Sequence, residues 1–243
     1  QCGMDFVSGM AIYYVDEVLN GYSKGYLTML MGVLLVSQLL GMLVFGPIMT
    51  KTSKKATILI GAPIRIVCTL GLLAFSYEGA PIAPILALSA GVGIGNAATL
   101  TSIFAILADM ADVDELITSV SRPGIVSGMA TFARKISAGL SAWVIGILIS
   151  FAGYDASIAK AGLRQSLHTQ NGIAMIFIFL PVILVTLLLI FGYMFPITKK
   201  EFELVHKEIA RRKGEDDSVA TEEEKRVLKR VTGIEYEQLW GNK

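Results

Sequence analysis

Two cations sit in a stretch otherwise suited to the interior of a membrane. Arg134 and Lys135 fall in ATFARKISAG, inside the otherwise uncharged run Gly124–Gly153. They lie about ten residues from its start, roughly 15 Å along a helix and about half the depth of a hydrocarbon core. An ionisable side chain at that depth costs from about 2.5 to more than 10 kcal/mol, so it faces a water-filled cavity or a partner. Adjacent helical positions point about 100° apart. Lys135 therefore shares a face with Gly128, Thr131 and Ala142, and Arg134 with Ser127, Ala130 and Ala138. Both faces are small and polar, as suits a close helix interface beside a cavity. The plainer alternative is that both stems snorkel to the surface and only set topology.

A second constellation is acidic. ADMADVDEL carries Asp109, Asp112, Asp114 and Glu115. It has neither the glycine turn nor the terminal glutamate of a calcium loop. It reads as a cytoplasmic salt-bridge station open to a gating role, Asp109 and Asp112 on one face and Arg122 or the loop lysines Lys51, Lys54 and Lys55 as partners. A solvated helix end is the alternative. GVGIGN, Gly91–Asn96, has no strand before it, so a phosphate loop is excluded and close helix packing through Gly91 and Gly95 is expected. Asn96 at that depth needs a bond and is a candidate to line a cavity, whereas Arg65, about eight residues into its apolar block, is within snorkelling reach. His168 and His206 fall in a loop and in the tail, and Cys2 and Cys68 support neither a disulfide framework nor a metal cluster. With no nucleophile–base pair and no metal set, nothing points to an enzyme.

The elements that must hold these groups are apolar helices. The 243 residues are 53% hydrophobic and 17% charged, with mean hydropathy +0.62, and the apolar residues come in long blocks. Net charge is +1, so nothing suggests nucleic acid. Six membrane spans, surrounded by lipid, are expected at Gly3–Asn20, Tyr26–Met49, Thr57–Tyr77, Ile82–Met110, Gly124–Gly153 and Asn171–Phe195. Pro63 and Pro181 predict kinks. Lys51, Lys54, Lys55, Arg122 and the basic residues beyond Phe195 outnumber Lys24, Lys160 and Arg164 in the opposite loops. Both ends of the chain are therefore expected in the cytoplasm of an inner or plasma membrane protein. Residues 1–195 form the membrane unit and 196–243 a polar helical tail, with helices over Glu201–Lys213 and Thr221–Trp240. Thr221 with Glu224 makes a capping box, and Gly233 is a stop or break. Gly3–Asn20 carries Asp5, Asp16 and Glu17 rather than a basic start and cleavage site, so it is no signal peptide, and the chain reads as part of a longer protein.

ILADMADVDELITSVSRPGIVSGMATFARKISAGL resembles the C-terminal half of the glycoside–pentoside–hexuronide:cation symporters, the melibiose-permease-like branch of the major facilitator superfamily. So do FVSGMAIYY, GPIMTKTSKK and FPITKKEFELVHKEIARR. The resemblance implies an all-α membrane protein whose six spans are helices seven to twelve of a twelve-helix carrier working by alternating access. It implies a sugar or glycoside substrate, and Na⁺ or H⁺ as the coupling cation, with its ligands mainly in an N-terminal six-helix half. By resemblance, Lys135 lies by the sugar and cation sites, Thr131 in the sugar-binding region, and Asp109 and Asp112 in the pair closing the tenth helix. Tyr13 and Tyr14 either line the sugar path or form an outer aromatic belt. Ala130 and Leu100 replace a polar and an aromatic residue, so the same sugar is not implied. T-G-x-R-x-E-G becomes Thr118-Ser119-Val120-Ser121-Arg122-Pro123-Gly124, with the arginine shifted and the glutamate lost. Arg134 is not part of the pattern. A six-helix protein that homodimerises into a carrier, and a non-transporting scaffold or sensor, are the rival readings.

Overall fold

The computed structural model describes residues 2–21, 25–194 and 199–241, and every regular element among them is helical. Lys24 and Phe195 lie outside the described residues. Helix α1 (Cys2–Tyr13) runs into a π-helical turn, Tyr14–Val18. Helix α2 is Tyr26–Lys51, and α3 is Lys54–Gly71 with a 3₁₀ extension, Leu72–Phe75. Then come α4 (Ile82–Thr118), α5 (Pro123–Phe151), the short α6 (Ala156–Lys160) and α7 (Leu167–Met194). The tail holds α8 (Lys199–Lys213), α9 (Glu222–Thr232) and a 3₁₀ turn, Tyr236–Gly241.

Local chemistry sets the ends. Ser53 accepts the Ala56 N–H to start α3, and Pro123 occupies the first turn of α5, where a missing N–H costs nothing. Ser119, at φ 61°, closes α4 with its N–H on the Glu115 carbonyl at 2.8 Å. Helices α3 and α7 run continuously through Pro63 and Pro181, and α2 through Pro47.

Among the described residues, five helices, not six, are long and apolar enough to cross a membrane: α2, α3 with its extension, α4, α5 and α7. The first expected span falls short because 12 residues of α-helix give way to 5 of π-helix, and Asp5, Asp16 and Glu17 interrupt it. Helix α4 is two turns longer than expected. It reaches Thr118, so the whole acidic cluster lies on its last turns.

Helix α4 packs against α2 and α3, α7 against α1 and α3, and α5 chiefly against α1. The glycines of GVGIGN allow that closeness. A Cβ at Gly95 would stand 2.6 Å from the Gly61 carbonyl oxygen, and one at Gly93 would stand 2.6 Å from that of Leu34. Gly91 faces Cys68. The expectation that this stretch is a packing motif therefore holds, with Gly93 added to it.

The main core joins α1, the π turn, α2, the 3₁₀ extension of α3, α4, α5 and α7 around Met10, Tyr14, Leu30, Ile85, Ile145 and Phe177. A second core seats the tail on α4, with Val113 and Leu116 against Val205, Ile209, Leu228 and Leu239. The capping box of α9 is formed, and Gly233, at φ 71°, ends the helix, so Thr221–Trp240 is a helix followed by a separate 3₁₀ turn. The Thr221 backbone N–H and the Lys207 ammonium hold the Glu224 carboxyl down to about 2, with Arg211 adding to the effect.

Candidate functional site

The packed stripe of α5 is Ser141, Ile145 and Ile149, all in one half of the helix. In the other half no residue from Pro123 to Leu140 is buried. Ser137 begins the stripe through a 2.6 Å contact with the Cys2 thiol. Arg134 precedes Ser141 by seven residues, so it falls within about 20° of the stripe's direction. Lys135 is about 100° further round, in line with Ala142. Arg134 thus points along the face that packs on α1 further up, and Lys135 along the open face. Both are exposed, and neither forms an ion pair or hydrogen bond with the described residues. Thr131, also exposed, donates its hydroxyl to the Ser127 carbonyl at 2.9 Å, which leaves the oxygen lone pairs outward.

Asn96 is elsewhere. It is buried, donates to Gln38 Oε1 at 2.8 Å, and accepts from Arg65 Nη1 at 2.8 Å. It therefore lines no open face, because α2, α3 and α4 close around it. Arg65, placed by sequence within reach of the surface, is only 4% exposed. Its Nε and Nη2 find no hydrogen-bond acceptor among the described residues. The sequence clue was its spacing. Arg65 follows Gly61 by one turn on the helix face that meets Gly95, and Gly95 precedes Asn96.

Tyr14 also departs from expectation. It is fully buried, its hydroxyl 2.9 Å from Ser76 Oγ and its ring stacked on Phe177 at 4.3 Å. The π turn that begins there directs it into the core rather than toward a path or an outer belt. Tyr13, half-buried, meets Tyr154 edge-on at 5.3 Å. Beyond it, Gln165 donates its N–H to the buried Glu17 carboxylate at 3.3 Å, and Arg164 binds the Glu17 carbonyl and Glu78.

At the tail end, Lys54 is ion-paired to Asp109 and donates to the Ala105 carbonyl at 3.2 Å. Arg122 grips Asp114 with both Nε and Nη2, at 3.2 and 3.0 Å. It therefore does not pair with Asp109 or Asp112, since the Ser119 turn folds it back onto the helix it follows. Asp112 faces His206 at 3.6 Å, and Glu115 pairs with Lys213 at 2.6 Å. Lys51 is exposed at the end of α2 and takes no ion-pair partner among the described residues. Within the described residues no group of His, Cys, Asp and Glu could hold a metal.

Long apolar helices with buried polar ties and bare cations describe a multi-pass membrane protein. The sequence matches the family described as MFS/sugar transport protein over residues 1–199, and the chain belongs to that family, whose members are carriers rather than enzymes. It is 27% identical over 212 residues to the glucuronide carrier protein homolog of Escherichia coli K12, covering 85% of this chain and 44% of that protein. It is 30% identical over 224 residues to a putative sulfoquinovose importer of the same organism, covering 87% and 43%. The isoprimeverose transporter of Lactiplantibacillus pentosus is 26% identical over 184 residues, covering 74% and 36%. The chain spans less than half the length of these relatives.

Proposed function

We propose that this chain is the C-terminal half of a sugar:cation symporter that works by alternating access, with its substrate near mid-membrane beside α5. The observation that carries the reading is the bare half of α5, where Lys135 and Arg134 lie without partners among the described residues at a depth where lone charges are costly. In this reading Lys135 and Thr131 face the sugar, and an N-terminal half covers α5 and brings the carboxylates that balance Lys135 and bind Na⁺ or H⁺. Lys54–Asp109, with Asp112 beside it and the Arg122–Asp114 pair further along α4, is the gate on the cytoplasmic side. Both ends of the chain are cytoplasmic. The same open face of α5 would also admit a second copy of this chain, which makes a homodimeric carrier the second reading.

Arg134 narrows the substrate. With two cations on one stretch of α5, an acid sugar supplies the missing negative charge, and a guanidinium grips a carboxylate or sulfonate with two bonds. Two of the relatives are named for acid sugars, glucuronide and sulfoquinovose.

Uptake of a labelled glucuronide and of a neutral pentoside by the full-length protein tests this. Lys135→Ala is expected to abolish both, and Arg134→Ala to weaken only the acid sugar, by about tenfold or more for the loss of one charge-assisted bond pair. Unchanged uptake in Lys135→Ala overturns the assignment.

A further inference from the structure

The tail does more than hang from α7. Helix α8 runs along the end of α4, meeting it in order. The Phe202 ring lies 4.7 Å from the Lys54 ammonium, measured to the ring centre. One turn on, His206 faces Asp112 and meets Phe202 edge-on at 4.6 Å. Two turns further, Lys213 pairs with Glu115. The Lys54 ammonium is thus surrounded by the Asp109 carboxylate, the Ala105 carbonyl and an aromatic face, contributed by α4 and by the tail.

The seat beneath these contacts is closed. Leu116, Val205, Leu228 and Leu239 are all fully buried, so α8, α9 and the last 3₁₀ turn share one core with α4. Lifting α8 away would expose that core to water. A helix held this firmly follows α4, and whatever separates Lys54 from Asp109 must also draw Lys54 off the Phe202 ring.

We propose that α8 is a working part of the gate, with Phe202 as the positioning residue that holds the Lys54–Asp109 pair closed. Phe202 screens the pair from water on the tail side, and water is what most weakens an ion pair at a surface. It also attracts the ammonium through its ring face. Lys54 therefore leaves Asp109 less often than it would if the tail were absent or the ring replaced by an aliphatic side chain. His206, against the same ring and facing Asp112, keeps Phe202 from turning away.

The gating role rests on the transport reading, but closure of the pair does not, and the test separates them. In the full-length protein with Cys2 and Cys68 changed to Ser, Ile106→Cys places a thiol in the cleft that Lys54 and Asp109 line. Its maleimide labelling rate is compared between wild-type Phe202, Phe202→Leu and Phe202→Tyr. Phe202→Leu is expected to raise labelling by about threefold, the effect of one partly exposed cation–π contact. It is also expected to lower maximal uptake with little change in KM, while Phe202→Tyr behaves as wild type. Hydrogen exchange of α9, unchanged in all three, shows that the tail remains seated. Equal labelling in Phe202→Leu and Phe202→Tyr with the tail seated overturns the proposal. The labelling difference without uptake of any sugar by the wild type supports closure by Phe202 and counts against the transport reading instead.

Discussion

Arg65 and the pair Arg134–Lys135 are cations in helices of the same bundle, yet their surroundings are opposite. Arg65 is enclosed by α1, α3, α4 and α7 and bound to Asn96, which is bound in turn to Gln38, so three helices are tied by one polar chain. Arg134 and Lys135 stand on a stretch of α5 where nothing is buried and no described residue answers them. A buried cation with a neutral partner is a fixture of the fold, since moving it uncovers unmet donors. A bare cation contributes little to the fold and awaits something that arrives. The difference separates stability from activity, and it can be attacked from either side.

The largest expected effect is on the enclosed site. Asn96→Leu leaves the guanidinium without its one acceptor among the described residues and is expected to lower the unfolding free energy by about 3 kcal/mol, the upper range for a bond to a charged group. Adding Arg65→Met should recover most of that loss, because the stranded charge goes with it. An Asn96→Leu protein as stable as the wild type in a denaturant titration would remove the fixture role. Lys135→Ala should do the reverse, with uptake lost and the melting temperature unchanged. If it melts early, the bare face is structural after all.

Lys54→Met lies between the two. It strands the Asp109 carboxylate, which is mostly buried, and is expected to cost about 1–2 kcal/mol. Lys54→Met with Asp109→Asn should restore stability but not a working gate, measurable as normal melting with altered uptake. The smallest effect concerns the tail. Glu224 is held near 2, below its ordinary value, so its contribution is complete above about pH 4.5 and fades as pH falls toward 2. Tail docking followed by Trp240 fluorescence should weaken across that window, and Glu224→Gln should remove most of the dependence.

Hydropathy made the long helices legible, because twenty apolar residues in a row leave little choice of structure. The Thr221–Glu224 capping box formed as spaced, although the helix it starts ends at Thr232 rather than running to Trp240. The break in the first expected span was not legible because a hydropathy window does not register a change from α to π winding, which turns Tyr14 inward without changing composition. Asn96 found the bond its depth demands, but its enclosure and that of Arg65 were not legible, for a related reason. Their burial depends on which helices meet through glycine, and glycine spacing shows that a face is close-packed without saying which neighbour fills it. The Lys54–Asp109 pair was among the partners the sequence allowed, whereas the Phe202 and His206 contacts reach back 148 and 94 residues across a tail whose docking no local pattern announces. The cations of α5 were visible at once, since an isolated charge in an apolar run stands out whatever surrounds it.

Gly95 also sets a lever. Gly95 touches α3 almost backbone to backbone, ten residues along α4 from the fully buried Ile85. Asp109 is fourteen residues further on, so at 1.5 Å per residue it stands about 36 Å from Ile85, against about 15 Å for Gly95. If α4 pivots at Ile85, a wedge of about 1 Å at Gly95 swings Asp109 by about 2.4 Å. A single methyl group deep in the bundle is then magnified into a displacement large enough to pull a carboxylate out of contact with its lysine at the far end.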